Sequence, residues 1–191
     1  MTPADAVRTA CAFLSERRGP AVLVVAIDGG GGAGKSTLAR GISAEFAGRV
    51  SIIRCDDFYR PLASTERSPK VAYEEYFDWR RLRDEVLIPL CAGKNARYQR
   101  YDWSTDRLAE WTEVKPREIV LIEGVFSMRP ELRDLIDAAI FIETPREERI
   151  RRMLARPQAD AAWMASWIAA EDWYLEHVVP HGSADLILAG F

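Results

Sequence analysis

Histidine occurs twice and cysteine three times among the 191 residues, and neither is set out in a metal-binding pattern. Cys11, Cys55 and Cys91 are odd in number and widely spaced, which argues against a disulfide framework and fits a reducing, cytoplasmic setting. His177 and His181 are four apart, but Pro180 between them breaks the helix that would align them on a metal. Positive charge is not in excess either. The formal net charge is −3, so no electrostatic footprint for nucleic acid or an anionic membrane is present. No apolar run approaches the roughly 18 residues of a membrane span. The start of the chain carries Asp5 and Glu16 and does not read as a signal peptide. Internal repeats and low-complexity tracts are also missing.

What the chain does have is alternation. Val7, Ala10, Cys11 and Leu14 recur at helical spacing before Gly19-Pro20. "AVLVVAID" (21–28) then runs β-branched and apolar, as a strand buried on both faces does. Leu38, Ile42 and Phe46 mark a helix, "VSIIRC" (50–55) a second buried strand, and the polar stretch 60–76 a mobile excursion. A helix over 78–93 and a short exposed strand over 96–103 follow. "EIVLIEG" (118–124) and "AAIFIET" (138–144) are buried strands separated by a helix near 130–137. Helical patterns cover 145–156 and 160–178, and "ADLILAG" (184–190) is a fifth strand. This order predicts an α/β fold with a five-stranded, mainly parallel sheet flanked by helices. Residues 1–191 read as one domain, with an acceptor-side insertion over 60–110 and a lid region over 145–178.

Between the first strand and its helix stands "GGGGAGKST": Gly29, Gly30, Gly31, Gly32, Ala33, Gly34, Lys35, Ser36 and Thr37. Glycine inside a regular element costs roughly 0.5–1 kcal/mol against alanine, so four in a row mark a place where side chains would obstruct. The run satisfies G-x-x-x-x-G-K-[ST] in the required strand–loop–helix context. Its N–H groups can wrap a phosphate chain, and the helix N-terminus adds positive dipole. Lys35 would reach the β- and γ-phosphates and the Ser36 hydroxyl a Mg²⁺ ion. The N-K-x-D guanine signature of GTPases is absent.

Two acidic stretches extend this reading. Asp56 and Asp57, in "RCDDFYR", follow the tip of the second strand, at the edge where open α/β sheets bind ligands. A carboxylate there can take a proton from an attacking hydroxyl. Glu123, in "IVLIEGVFS", ends another buried strand, where a carboxylate would complete a Mg²⁺ shell.

Taken together and in this order, "IDGGGGAGKSTLA", "DDFYR", "YFDWRRL", "YQRYDW" and "EGVFS" resemble the uridine kinase/phosphoribulokinase-like family of P-loop kinases over most of residues 21–190. The resemblance implies a P-loop kinase fold with a small hairpin. It also implies transfer of a phosphoryl group from ATP–Mg²⁺ to a hydroxyl of a small, often ribose-bearing molecule. By motif position it makes Asp56 the general base, with Asp57 beside it, Tyr59 and Asp78 substrate and ribose contacts, Tyr101 a base-side contact, and Glu123 with Ser36 the metal end. Uridine kinases carry a base-reading histidine after the Y-D-aromatic element. Asp106 stands near that position here, which implies a cationic or donor-rich acceptor rather than uridine or cytidine.

Arg149, Arg152 and Arg156 share a helix face, expected either as a solvated face or as an arginine lid that closes over the phosphates. Trp163, Trp167, Ala170 and Tyr174 form a stripe expected to pack in the core or lid. The expected partner is a small-molecule acceptor, with neither nucleic acid nor membrane and with self-association left open. The rival reading is a nucleotide-binding regulator or slow ATPase, which has no need of Asp56, Tyr59 and Asp78.

Overall fold

The computed structural model describes residues 1–61, 68–155, 161–179 and 182–191. Its strands are β1 (Leu23–Asp28), β2 (Val50–Arg54), β3 (Ala96–Asp102), β4 (Arg107–Val114), β5 (Ile119–Glu123), β6 (Ala138–Glu143) and β7 (Leu186–Ala189). The longer helices are α1 (Pro3–Ser15), α2 (Lys35–Glu45), α3 (79–91), α4 (Arg146–Leu154) and α5 (Ala161–His177).

Every residue of β1 and β5 is buried, as their unbroken apolar runs require, and this puts them inside the sheet. The order is β2-β5-β1-β6-β7, and all four pairings are parallel. The five-stranded α/β sheet is therefore as expected. Side chains alternate across β1. Leu23, Val25 and Ile27 face a core made with α1 and α2, whereas Val24 and Ala26 face one made with α3, α5 and the hairpin. A capping box between Thr2 and Asp5 starts α1, and Ala6, Ala10 and Leu14 form its buried stripe. The absent side chain of Gly41 admits α1: a Cβ there would lie 2.3 Å from Val7.

Three local details depart from the sequence reading. The segment near 130–137 is a 3₁₀ turn, Pro130–Leu135, whose greater rise per residue carries the chain across β1 toward β6 in few residues. Helix α3 widens to π geometry over Leu82–Leu87, which relieves the clash Pro89 would otherwise have with the carbonyl four residues before it. Part of the expected excursion is helical, Pro69–Val71 continuing as Ala72–Tyr76, because Tyr73 and Tyr76 are buried in the aromatic core. Residues 62–67 of that excursion lie outside the described set. The small hairpin that the resemblance implies is present, with β4 antiparallel to β3. Its second strand is mostly exposed, and so did not show as a buried run.

Candidate active site

The carboxyl ends of β1, β2 and β5 open on one cavity of about 700 Å³. From the glycine-rich loop it is lined by Gly31, Gly32, Ala33, Gly34, Lys35, Ser36 and Thr37, and opposite them by Asp56, Tyr59, Trp103, Glu123, Arg152, Trp167 and Glu171.

The loop is held by its own protein as well as shaped for a ligand. Gly29 takes φ +138°, and a Cβ there would lie 2.6 Å from the Ile142 carbonyl oxygen. At Gly30 it would lie 1.9 Å from the Arg149 guanidinium. Lys35 is buried, and its ammonium donates to the carbonyls of Gly29 (2.6 Å) and Gly30 (2.9 Å). Asp28, wholly buried at the end of β1, accepts from Gly29 N (2.6 Å), Met128 N (2.8 Å) and the Tyr174 hydroxyl (2.8 Å). Burial pushes the Asp28 carboxyl up. Sequence reasoning missed this anchor, although a carboxylate closing an all-apolar strand was a visible signal.

The Ser36 hydroxyl donates to both oxygens of Glu123, at 3.0 and 3.1 Å. Burial, and then the charge of Asp56, push the Glu123 carboxyl up. Two hard oxygen donors beside a phosphate-binding loop fit Mg²⁺, which is held through one or two carboxylates together with substrate phosphates. Among the described residues no group of three or more His, Cys, Asp or Glu could hold a metal ion by itself.

Asp56 and Asp57 lie on a 3₁₀ turn after β2. Asp56 is exposed on the cavity, and its carbonyl accepts from the Trp103 indole at 3.1 Å. Asp57 is buried and accepts from the Tyr98 hydroxyl (3.0 Å) and Arg100 (3.3 Å). Expected as an acceptor contact, it does not line this cavity and joins the turn to the hairpin. Tyr59, Trp103 and Trp167 pack ring on ring at 4.7–5.6 Å and form an aromatic wall beside Asp56. Neither tryptophan was singled out as a site residue.

Three further expected contacts are absent from the cavity wall. Asp78 caps α3 and is held by the Arg60 guanidinium at 2.8 and 2.9 Å. Tyr101 is buried behind Trp103 and donates to Asp106 at 2.5 Å. Asp106 occupies the hairpin turn at φ +52°, exposed.

The arginines divide. Arg152 reaches the cavity, donating to the carbonyls of Gly32 (3.3 Å) and Phe191 (2.6 Å) and pairing with Glu148 (2.7 Å). Arg149 is buried against the loop and pairs with Glu171 (3.1 Å) and Asp172 (3.4 Å). It is not solvated and does not line this cavity, but borders a separate one of about 300 Å³ with Gly30 and Asp172. Arg156, like Pro180 and His181, lies outside the described residues.

The phosphoribulokinase/uridine kinase family model matches residues 24–188, from β1 through β7. The chain belongs to this family. Among curated family relatives, a uridine kinase of Clostridium perfringens is 33% identical over 141 residues, covering 70% of this chain and 67% of its own. A uridine kinase of Halobacterium salinarum is 28% identical over 162 residues, covering 82% and 71%. A solved structure described as a possible uridine kinase from Bacillus stearothermophilus superimposes with TM-score 0.78 at 24% identity, covering 98% of this chain and all of the other. That likeness establishes the fold, and the family match covers every motif from the loop to β7.

Proposed function

We propose that this chain is an ATP- and Mg²⁺-dependent kinase that transfers the γ-phosphoryl group to a hydroxyl of a nucleoside- or riboside-like acceptor. The observation that carries the reading is the meeting of the glycine-rich loop, the Ser36–Glu123 pair and Asp56 on one cavity beside an aromatic wall. A regulator that merely bound nucleotide would need the first two and not the last.

In this reading Lys35 leaves the Gly29 and Gly30 carbonyls for the β- and γ-phosphates, and Asp56 accepts the proton of the attacking hydroxyl. Tyr59, Trp103 and Trp167 orient the acceptor ring, and Arg152 meets charge that develops on the transferred group. Ser36 and Glu123 would hold Mg²⁺, which neutralises charge on the phosphate oxygens when bound. Residues 145–178 serve as the lid and 60–110 as the acceptor-side insertion of a single catalytic domain. Among the described residues no helix is long and apolar enough to cross a membrane.

The test is ADP release from ATP across a panel of nucleosides, other ribosides and sugars. Release that depends on one acceptor class supports the proposal. Slow release indifferent to every acceptor would make this a nucleotide hydrolase instead.

A further inference from the structure

Glu171 has no part in the chemistry above, yet its carboxylate takes one of the loop's backbone donors. On α5 and almost fully buried, it accepts the Gly31 N–H at 2.7 Å through the same oxygen that takes Arg149 at 3.1 Å. A Cβ added at Gly31 would lie 2.8 Å from its other oxygen, so the carboxylate rests directly on the loop backbone. Gly31 precedes Lys35 by four residues and lines the cavity that also holds Asp56. We take its N–H as a donor for the last phosphate of a bound chain.

A carboxylate oxygen and a phosphate oxygen ask the same thing of a backbone N–H, and one donor cannot serve two anions at full strength. Like charges brought together in a site shielded from water are costly. The exit of Glu171 is not equally costly to its partner, because Arg149 also pairs with Asp172 at 3.4 Å and keeps a counter-charge. Burial pushes the Glu171 carboxyl up, and the charge of Lys35, the Gly31 N–H and Arg149 oppose it in favour of the anion.

We propose that Glu171 is a resident surrogate for the terminal phosphate: it docks α5 on the empty loop, must quit Gly31 before a third phosphate settles, and so sets the balance between triphosphate and diphosphate binding. This rests on the reading that the loop binds ATP. A mere structural tie would affect both nucleotides alike, whereas a surrogate for one phosphate affects only the nucleotide that carries it.

Isothermal titration of the full chain with Mg²⁺–ADP and with the Mg²⁺-bound β,γ-imido analogue of ATP separates these cases. In Glu171→Gln the analogue should bind about tenfold tighter while ADP changes by less than about threefold, a coupling of ordinary size. Glu171→Asp, which keeps the charge but draws it back from Gly31, should shift the ratio the same way and serves if the glutamine variant does not fold. Asp172→Asn, which leaves Arg149 with Glu171 as its counter-charge in this cluster, should hold Glu171 on the loop and move the ratio toward ADP. An unaltered ratio in both Glu171 variants, or weaker analogue binding, overturns the inference and leaves ATP binding standing. Failure of the wild-type chain to bind either nucleotide overturns the functional reading and the inference together.

Discussion

Asp56 and Asp57 are consecutive and serve different parts of the molecule: Asp56 borders the cavity, while Asp57 is buried against Tyr98 and Arg100 of the hairpin. Asp56→Asn should therefore remove most phosphoryl transfer with nucleotide affinity nearly intact. Asp57→Asn should chiefly lower stability, by about 1–3 kcal/mol, because a buried hydrogen-bonded carboxylate is replaced. Paired turnover and melting measurements check both. A mild Asp56→Asn beside an inactive, well-folded Asp57→Asn reverses the assignment.

Lys35 is the cation nearest the loop carbonyls and is expected to transfer to the phosphates. Lys35→Ala should cost on the order of 10²–10³ in turnover, the scale of losing one electrostatic contact in the transition state. The control is a melting temperature close to wild type. Unchanged kcat would remove Lys35 from the mechanism.

Arg149 and Arg152 lie one helical turn apart and should fail differently. Arg152→Ala should lower kcat more than acceptor affinity, since the charge it meets grows in the transition state. Arg149→Ala breaks a buried pair with Glu171 and should destabilise the fold by about 3–5 kcal/mol. Steady-state kinetics and denaturant titration of the two variants decide; matching, small effects would return both to a solvated face.

Asp28→Asn should weaken the fold by about 1–3 kcal/mol, because an amide nitrogen would then face a donor where a carboxylate oxygen accepted one. The variant also tests the direction of its titration. A carboxyl raised by burial favours the protonated folded state, so its contribution is present below the unfolded value and lost as pH rises through the folded one. The stability gap between wild type and variant should therefore be wider near pH ~4 than at pH ~7. A gap that widens toward neutral pH would mean the Asp28 carboxyl is lowered instead.

The glycine-rich loop, its flanking strand and helix, and the pairing of Ser36 with a strand-end glutamate were legible from residue order. Each depends on backbone shape or on where a buried strand stops, and a run such as "AVLVVAIDGGGGAGKST" dictates both locally. The five-strand alternation was legible for the same reason. The fates of the carboxylates were not. Asp78 is claimed by Arg60 eighteen residues away, Asp57 by a hairpin strand about forty residues on, and Gly31 by a glutamate 140 residues downstream. A charged side chain takes whichever counter-charge or donor its neighbours present once helices and hairpin have packed. That choice follows from the faces α5 and β3 turn inward, because burial makes an unpaired charge too costly to keep.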